Sequence, residues 1–251
     1  MMRVFAPLLL TAVLLAAGLW QPHDPDAVDI LARHSGPSLS HPLGTDHLGR
    51  DLLSRLMVGG LRTGTVIVAV ASIGFAGGAV FGTLAALLRG WRETVILRAS
   101  QVFIMVPTLI VALTAAAVFG LSPLNAGIAL GLAAVGPLTL FTHSLTKRVL
   151  GQPFIMAAVA LGVPPFGMLM RHLLPNTMPV LLTYIGNQSG AAAIAYASLA
   201  FIGLGADPSL PDWGGMLFEY RMFIFDNPML LIWPGLALGG TVFVLNRMFD
   251  R

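Results

Sequence analysis

Long apolar runs alternate with short polar links along most of the chain, and the runs have the length of membrane spans. A helix needs about 20 mostly apolar residues to cross a bilayer. Runs of that kind fall at residues 4–20, 63–88, 99–119, 125–145, 178–202 and 228–245. Pro107, Pro137 and Pro234 lie inside the third, fourth and sixth runs, where a proline kinks a spanning helix and neighbouring groups re-satisfy the freed carbonyl. The second run carries Gly74, Gly77, Gly78 and Gly82. Small residues at such spacing let helix backbones approach closely in lipid, although a general tolerance of glycine in spanning helices explains them equally well.

The links divide the chain. Residues 21–62 form a polar connector punctuated by Pro22, Pro25, Pro37 and Pro42. From Asp46 onward, Leu48, Leu52, Leu53, Leu56 and Met57 recur at helical spacing, which predicts a short amphipathic helix on the membrane surface or against the bundle. Residues 146–177 are the longest link between later spans, and residues 203–227 form a polar, acidic loop. The expected organisation is therefore a first transmembrane helix (1–20), a connector with an amphipathic helix (21–62), and a core of five transmembrane helices (63–249) containing the 146–177 link. The first run is long and lacks a clean small-x-small cleavage site, so it reads as an uncleaved span rather than a signal peptide.

Composition supports this reading. Of 251 residues, 56% are hydrophobic and 10% charged, against about 25% charged in soluble domains. There is no cysteine, which excludes disulfides and thiolate chemistry. The net charge of +3 is too small to argue for nucleic acid. Its distribution says more. With a cytoplasmic amino terminus, the inner segments hold nine of the 14 basic residues and two of the 11 acids. That bias predicts both termini inside and residues 21–62 on the periplasmic or extracellular side. No ionisable residue falls clearly at mid-span; His143 is nearest and lies toward the cytoplasmic end of its run.

Chemistry concentrates in the links. In the 146–177 link, Met156, Ala157 and Ala158 precede Gly162, and His172, Leu174, Pro175 and Asn176 follow. The pattern predicts a helix, a tight turn at Gly162, and a second short helix stopped by Pro175, with Ala157 and Ala158 small enough to enter a groove of another protein. In the connector, Gly44, Thr45, Asp46, Gly49, Arg50 and Asp51 form a compact polar motif whose charges are expected to pair in the open, where a pair contributes only about 0–1 kcal/mol. Trp213 and Trp233 read as interfacial anchors. His23, His34, His41 and His47 share the connector and invite a metal reading, but their spacings are irregular and prolines intervene, so no metal site is expected. There is no G-x-x-x-x-G-K-[ST] loop, no H-E-x-x-H and no G-x-S-x-G.

The positions 157, 158, 162, 172, 174, 175 and 176 resemble the EAA loop of ABC-importer permeases, which has the spacing E-A-A, three residues, Gly, nine residues, H-x-L-P-N. Met156 departs from it, standing where the family has Glu, and Pro164, Pro165 and Gly167 replace more polar residues. The run from His41 to Asp51, the run from Ser198 to Gly205 followed by Pro211 to Met216, and the run from Trp233 to Ala237 resemble segments of the dipeptide, oligopeptide and nickel permeases. The resemblance covers about residues 20–249. It implies an all-α polytopic bundle of about six transmembrane helices with the type I ABC importer permease fold, in a bacterial inner membrane. It also implies a non-enzymatic subunit that pairs with a second, homologous permease. Two separate ATPase subunits would dock on the 146–177 link and bind ATP and Mg, leaving no cofactor in this chain. An extracytoplasmic substrate-binding protein would deliver the cargo: a dipeptide, a longer peptide, nickel or another metal chelate. A stand-alone secondary carrier is the alternative, and it calls for an inverted repeat or a midplane charge. Neither is seen.

Overall fold

The computed structural model describes residues 12–88, 90–203 and 209–249, with side chains through residue 247. Of the first expected span, residues 1–11 lie outside the described residues; residues 12–17 are helical. Among the described residues there is no strand, only an isolated bridge between Thr45 and Asp51.

Helix α1 (Leu52–Leu87) is the axis of the bundle. The amphipathic helix and the second span expected from the sequence are one uninterrupted element of 36 residues, about 54 Å long at 1.5 Å per residue. That exceeds a hydrocarbon core of roughly 30 Å, so the helix is longer than a span requires. Asp51 starts it: the carboxylate accepts the Ser54 N–H at 2.8 Å. Helix α2 (Trp91–Met105) and α3 (Thr108–Phe119) make up the expected third span, but Pro107 breaks it rather than bending it, and the two halves meet at 75°. Val106 before the proline is extended (φ −88°, ψ 119°), the conformation that proline imposes on its predecessor. Helix α4 (Pro123–Leu150) runs unbroken through Pro137.

The chain then turns through α5 (Pro153–Ala160) and α6 (Pro165–Met168) into a π-helical turn (Leu169–Leu173) that leads directly into α7 (Leu174–Phe201). After the loop come α8 (Trp213–Tyr220) and the last helix, α9 (Met229–Phe249). Among the described residues α1, α4 and α9 are long and apolar enough to cross a membrane, and the α2–α3 pair makes a fourth if it counts as one span. At 28 residues α7 is long enough, but Asn187, Gln188 and Ser189 interrupt its apolar character.

The glycines of α1 have a packing role. A Cβ on Gly78 would lie 2.5 Å from Leu138 of α4, and one on Gly82 would lie 2.4 Å from Thr142. Helices α1 and α4 are therefore as close as their backbones permit, with Val66, Val70, Leu130, Ala134 and Tyr196 forming the core beside them. Residues 12–18 pack nearer the start of α1, where Leu14 joins Ile67, Ala193 and Leu245.

Candidate functional site

Two regions at opposite ends of α1 carry the polar and loop chemistry. At the Leu87 end is the hairpin of α5, α6 and the π turn. Helix α5 ends in a reversal in which Gly162 N–H donates to Val159 O at 3.0 Å and Val163 N–H to Ala158 O at 3.1 Å. This is the paired closing pattern that requires a left-handed residue, and Gly162 supplies it at φ +74°. Ile155, Ala158, Met168 and Leu173 close over Val149 beneath the hairpin, with Val163 packed against them. Phe154, Met156, Val159, Leu161 and Phe166 are exposed.

The two alanines face opposite ways: Ala157 is exposed and Ala158 is buried inside the hairpin, so only Ala157 is free to meet another surface. Pro175 does not stop a helix, contrary to the expectation. It occupies the first turn of α7, where a missing N–H is tolerated. The wider π turn ahead of it, in which Leu174 N–H bonds back to Leu169 O, lets the chain pass without a break. Asn176 Nδ2 donates to His172 O at 2.6 Å and Thr177 Oγ1 to Leu173 O at 3.0 Å, supporting the carbonyls of that turn. His172 is half-buried, with its ring 6.3 Å from Phe154. Nearby, Glu93 Oε1 lies 2.8 Å from His143 Nε2 and 3.1 Å from Lys147 Nζ, so His143 belongs to a polar cluster near the end of α4.

At the Leu52 end the connector folds into a charged network. Asp46 is fully buried. Its Oδ1 accepts the N–H groups of Leu48 (2.8 Å) and Arg50 (3.0 Å); its Oδ2 accepts from Arg50 Nε (2.7 Å) and the Tyr220 hydroxyl (3.1 Å). Arg55, also buried, donates to Tyr220 Oη and Glu219 Oε2 at 3.1 Å each, and to Pro25 O and Asp26 Oδ1. Glu219 Oε1 accepts from Arg50 as well. Gly49 is obligatory: its φ is +80°, and a Cβ there would fall 1.7 Å from Asp29 O. Thr45 ties the motif to the connector by accepting the Ser35 N–H at 3.0 Å.

Burial alone would raise the Asp46 carboxyl, but the Arg50 guanidinium and the two backbone N–H groups outweigh it and hold the group below the usual carboxylate range. Burial pushes His47 below its ordinary value against the pull of Asp46 and Glu219. Burial also raises Asp212, the residue that caps α8, where the Gly215 N–H opposes it.

The expectation of open, weakly paired charges in the connector is corrected by this arrangement. Gly44, Thr45, Asp46, Gly49, Arg50 and Asp51 do come together, but Asp46, Arg50 and Asp51 are buried; Asp46 and Arg50 are shared with residues the sequence did not single out, Arg55, Glu219 and Tyr220, while Asp51 is held by His41 and Ser54. The available signal was Glu219, the lone acid in the otherwise apolar α8. Trp213 is likewise no interfacial anchor. It is buried against Gly59 and Gly60, and its indole N–H donates to Leu56 O at 2.9 Å. Of the Ser198–Gly205 motif, Leu204 and Gly205 lie outside the described residues.

Residues 78–251 match the family described as binding-protein-dependent transport system inner membrane component. The chain belongs to this family. It is 31% identical, over all of its length and 80% of the relative's, to a probable D,D-dipeptide transport system permease protein, DdpC, of Escherichia coli K12. It is 30% identical, over 97% of its length and 81% of the relative's, to a glutathione transport system permease protein, GsiD, of Pectobacterium atrosepticum. Among solved structures it resembles the MetNI methionine ABC transporter in an inward-facing conformation, with a TM-score of 0.64 and 17% identity over 78% of this chain and 94% of that one. The fold is thus the all-α membrane bundle of an ABC importer permease. The chain is an inner-membrane permease component. Components of this family work in general terms with a partner permease, ATPase subunits and a binding protein.

Proposed function

We propose that the chain is one half of the translocation path of an ATP-driven importer of short peptides, and that the α5–α6 hairpin docks into a separate ATPase subunit. The observation that carries this reading is the hairpin itself. Phe154, Met156, Val159, Leu161 and Phe166 are solvent-facing on a segment held rigid by the Gly162 reversal and the core under Ala158. Apolar side chains gathered on one projecting segment mark a contact surface. Because the π turn leads directly into α7, a push on the hairpin would pass into a bundle helix without an intervening flexible loop.

In the full assembly a second, homologous permease lines the other side of the path. Two ATPase subunits bind ATP and Mg, and an extracytoplasmic binding protein docks at the connector end. Both termini then lie in the cytoplasm, and this chain holds neither a catalytic residue nor a cofactor. Relatives named for a D,D-dipeptide and for glutathione favour short peptides as cargo; nickel and metal chelates belong to the same broader reading. The test is to purify the chain with its membrane partners and measure uptake of a labelled dipeptide into proteoliposomes with ATP inside and a candidate binding protein outside. Uptake that needs ATP and co-purified ATPase chains is expected. Uptake by this chain alone down an ion gradient would overturn the reading in favour of a secondary carrier.

A further inference from the structure

We infer that His23, His41 and Asp51 form a binding site for a divalent transition-metal cation that clamps the connector to the first turn of α1. This site goes beyond the transport reading and does not depend on it. The three side chains come from separate stretches, yet one ligand atom from each lies within 4.8 Å of the others. His41 Nδ1 is 2.9 Å from Asp51 Oδ1, and His23 Nδ1 is 3.9 Å from Asp51 Oδ2. The two imidazole rings are 4.7 Å apart. In a tetrahedral site with metal–ligand bonds of about 2.0–2.2 Å, ligand atoms stand roughly 3.3 Å from one another. A side-chain shift of about an ångström closes this set around an ion.

The backbone brings the three together before any ion arrives. Asp51 Oδ2 is fixed by the N–H and hydroxyl of Ser54, at 2.8 and 2.7 Å, which leaves Oδ1 facing His41. The same Ser54 hydroxyl accepts the His23 N–H at 3.1 Å. His41 is set in a turn in which its carbonyl accepts from Ser38 and Gly44 at 2.9 Å each. Asp51 is buried and His23 exposed, so a cation would have one anchored carboxylate, two imidazoles and a fourth position open to water. That ligand set suits Zn2+, Co2+ or Ni2+ rather than Mg2+ or Ca2+, which take oxygen ligands. A second group, Asp46, His47 and Glu219, has similar spacing. It does not qualify, because Arg50 and Arg55 already occupy its carboxylates.

The test uses the full chain in detergent, with any polyhistidine tag removed and metal stripped by a chelator. Co2+ is titrated with its visible spectrum as the readout, and Zn2+ by calorimetry. One equivalent of each is expected, with Zn2+ displacing Co2+. Losing only a group that hydrogen-bonds to a ligand costs a metal site about 10–100-fold, so loss of a ligand in His23→Ala or His41→Ala should weaken binding by about 100-fold or more. His34→Asn, in the same connector but outside the cluster, should leave it unchanged. Saturating Zn2+ should also slow tryptic cleavage after Arg33 by about tenfold, since an ion that binds only the closed connector suppresses its opening. The site is overturned by failure to bind either ion stoichiometrically, by undiminished binding in the His23→Ala/His41→Ala double variant, or by an equal loss in His34→Asn. Unchanged cleavage at saturating Zn2+ would overturn the clamp.

Discussion

The two ends of α1 answer the same problem, a polar link leaving a membrane bundle, in opposite ways. At the connector end, charge is drawn inward: Asp46 is enclosed by Arg50, Tyr220 and backbone N–H groups, and Glu219 joins both arginines. At the hairpin end, apolar surface is pushed outward: Met156, Val159, Leu161 and Phe166 face solvent above a small core. A group of buried charges is specified by its own partners and fixes one arrangement. An exposed apolar face is completed only by something else. The connector end is therefore closed on its own partners, whereas the hairpin end leaves its apolar side chains uncovered.

The sharpest way to break the contrast is at Asp46. Removing one member of a buried ion pair costs about 3–5 kcal/mol because the other charge stays buried without compensation. Asp46→Ala should accordingly lower thermal stability more than any substitution in the hairpin, measured by unfolding of the detergent-solubilised chain. A near-neutral effect would mean that Arg50 and Arg55 find other counter-charges and that the network does not organise the connector.

Acid offers a graded version of the same test. Both Asp46 and His47 have folded-state values below their ordinary ones, 3.8 and 6.5 respectively. Each therefore contributes stability that is present above its ordinary value and lost as pH falls toward the folded value. The unfolding midpoint should decline first as pH falls below 6.5 and the unfolded state takes up a proton at His47, and again below pH 3.8 as Asp46 is neutralised, with the raised Asp212 carboxyl offsetting part of the fall between them. His47→Gln should remove the first decline and keep the second. A pH profile of His47→Gln that matches the unaltered chain between about pH 7 and 5 would remove His47 from the network.

The contrast also explains what is legible in the sequence. Among the described residues, apolar runs locate α1, α4, α9 and the α2–α3 pair, and Pro107 marks the break in that pair, because length and composition are local properties. The 75° angle at that break is not local; it depends on what α2 and α3 pack against. The sequence pattern starts the second span near residue 63, because Arg55 and Arg62 look like loop residues. In fact Arg55 is accommodated inside by Glu219, 164 residues away, a pairing no window along the chain contains. The hairpin is more legible, since Gly162 and its reversal are set within a few residues. The facing of Ala157 and Ala158 is not, because which one is buried depends on Met168 and Leu173 across the turn.

Gly162 separates shape from coupling at the hairpin end. A Cβ there would meet nothing within 4 Å, so the cost of a side chain is purely conformational at φ +74°. That cost is roughly 1–2 kcal/mol. Gly162→Leu should lower overall stability little, yet uncouple ATP hydrolysis from transport in the reconstituted importer by distorting the reversal that presents Met156 and Leu161. Normal uptake by this variant would deny the hairpin its transmitting role.

The smallest effect is expected at Met156, and it bears most directly on what covers the hairpin. The side chain is 62% exposed and lies on the face away from the core formed by Ile155 and Ala158. Exposed substitutions away from caps and buried partners usually change stability by no more than about 0.5 kcal/mol. Met156→Glu also restores the residue that the EAA pattern carries at this position. The chain should therefore fold as before, and co-purification with the ATPase subunits should persist. Loss of assembly with stability unchanged would show that the partner's surface has itself become apolar to match Phe154, Met156 and Val159, so that a carboxylate buried on docking would lack a counter-charge. Retained assembly would place the main contact on the neighbouring apolar side chains, with position 156 at the edge of the contact.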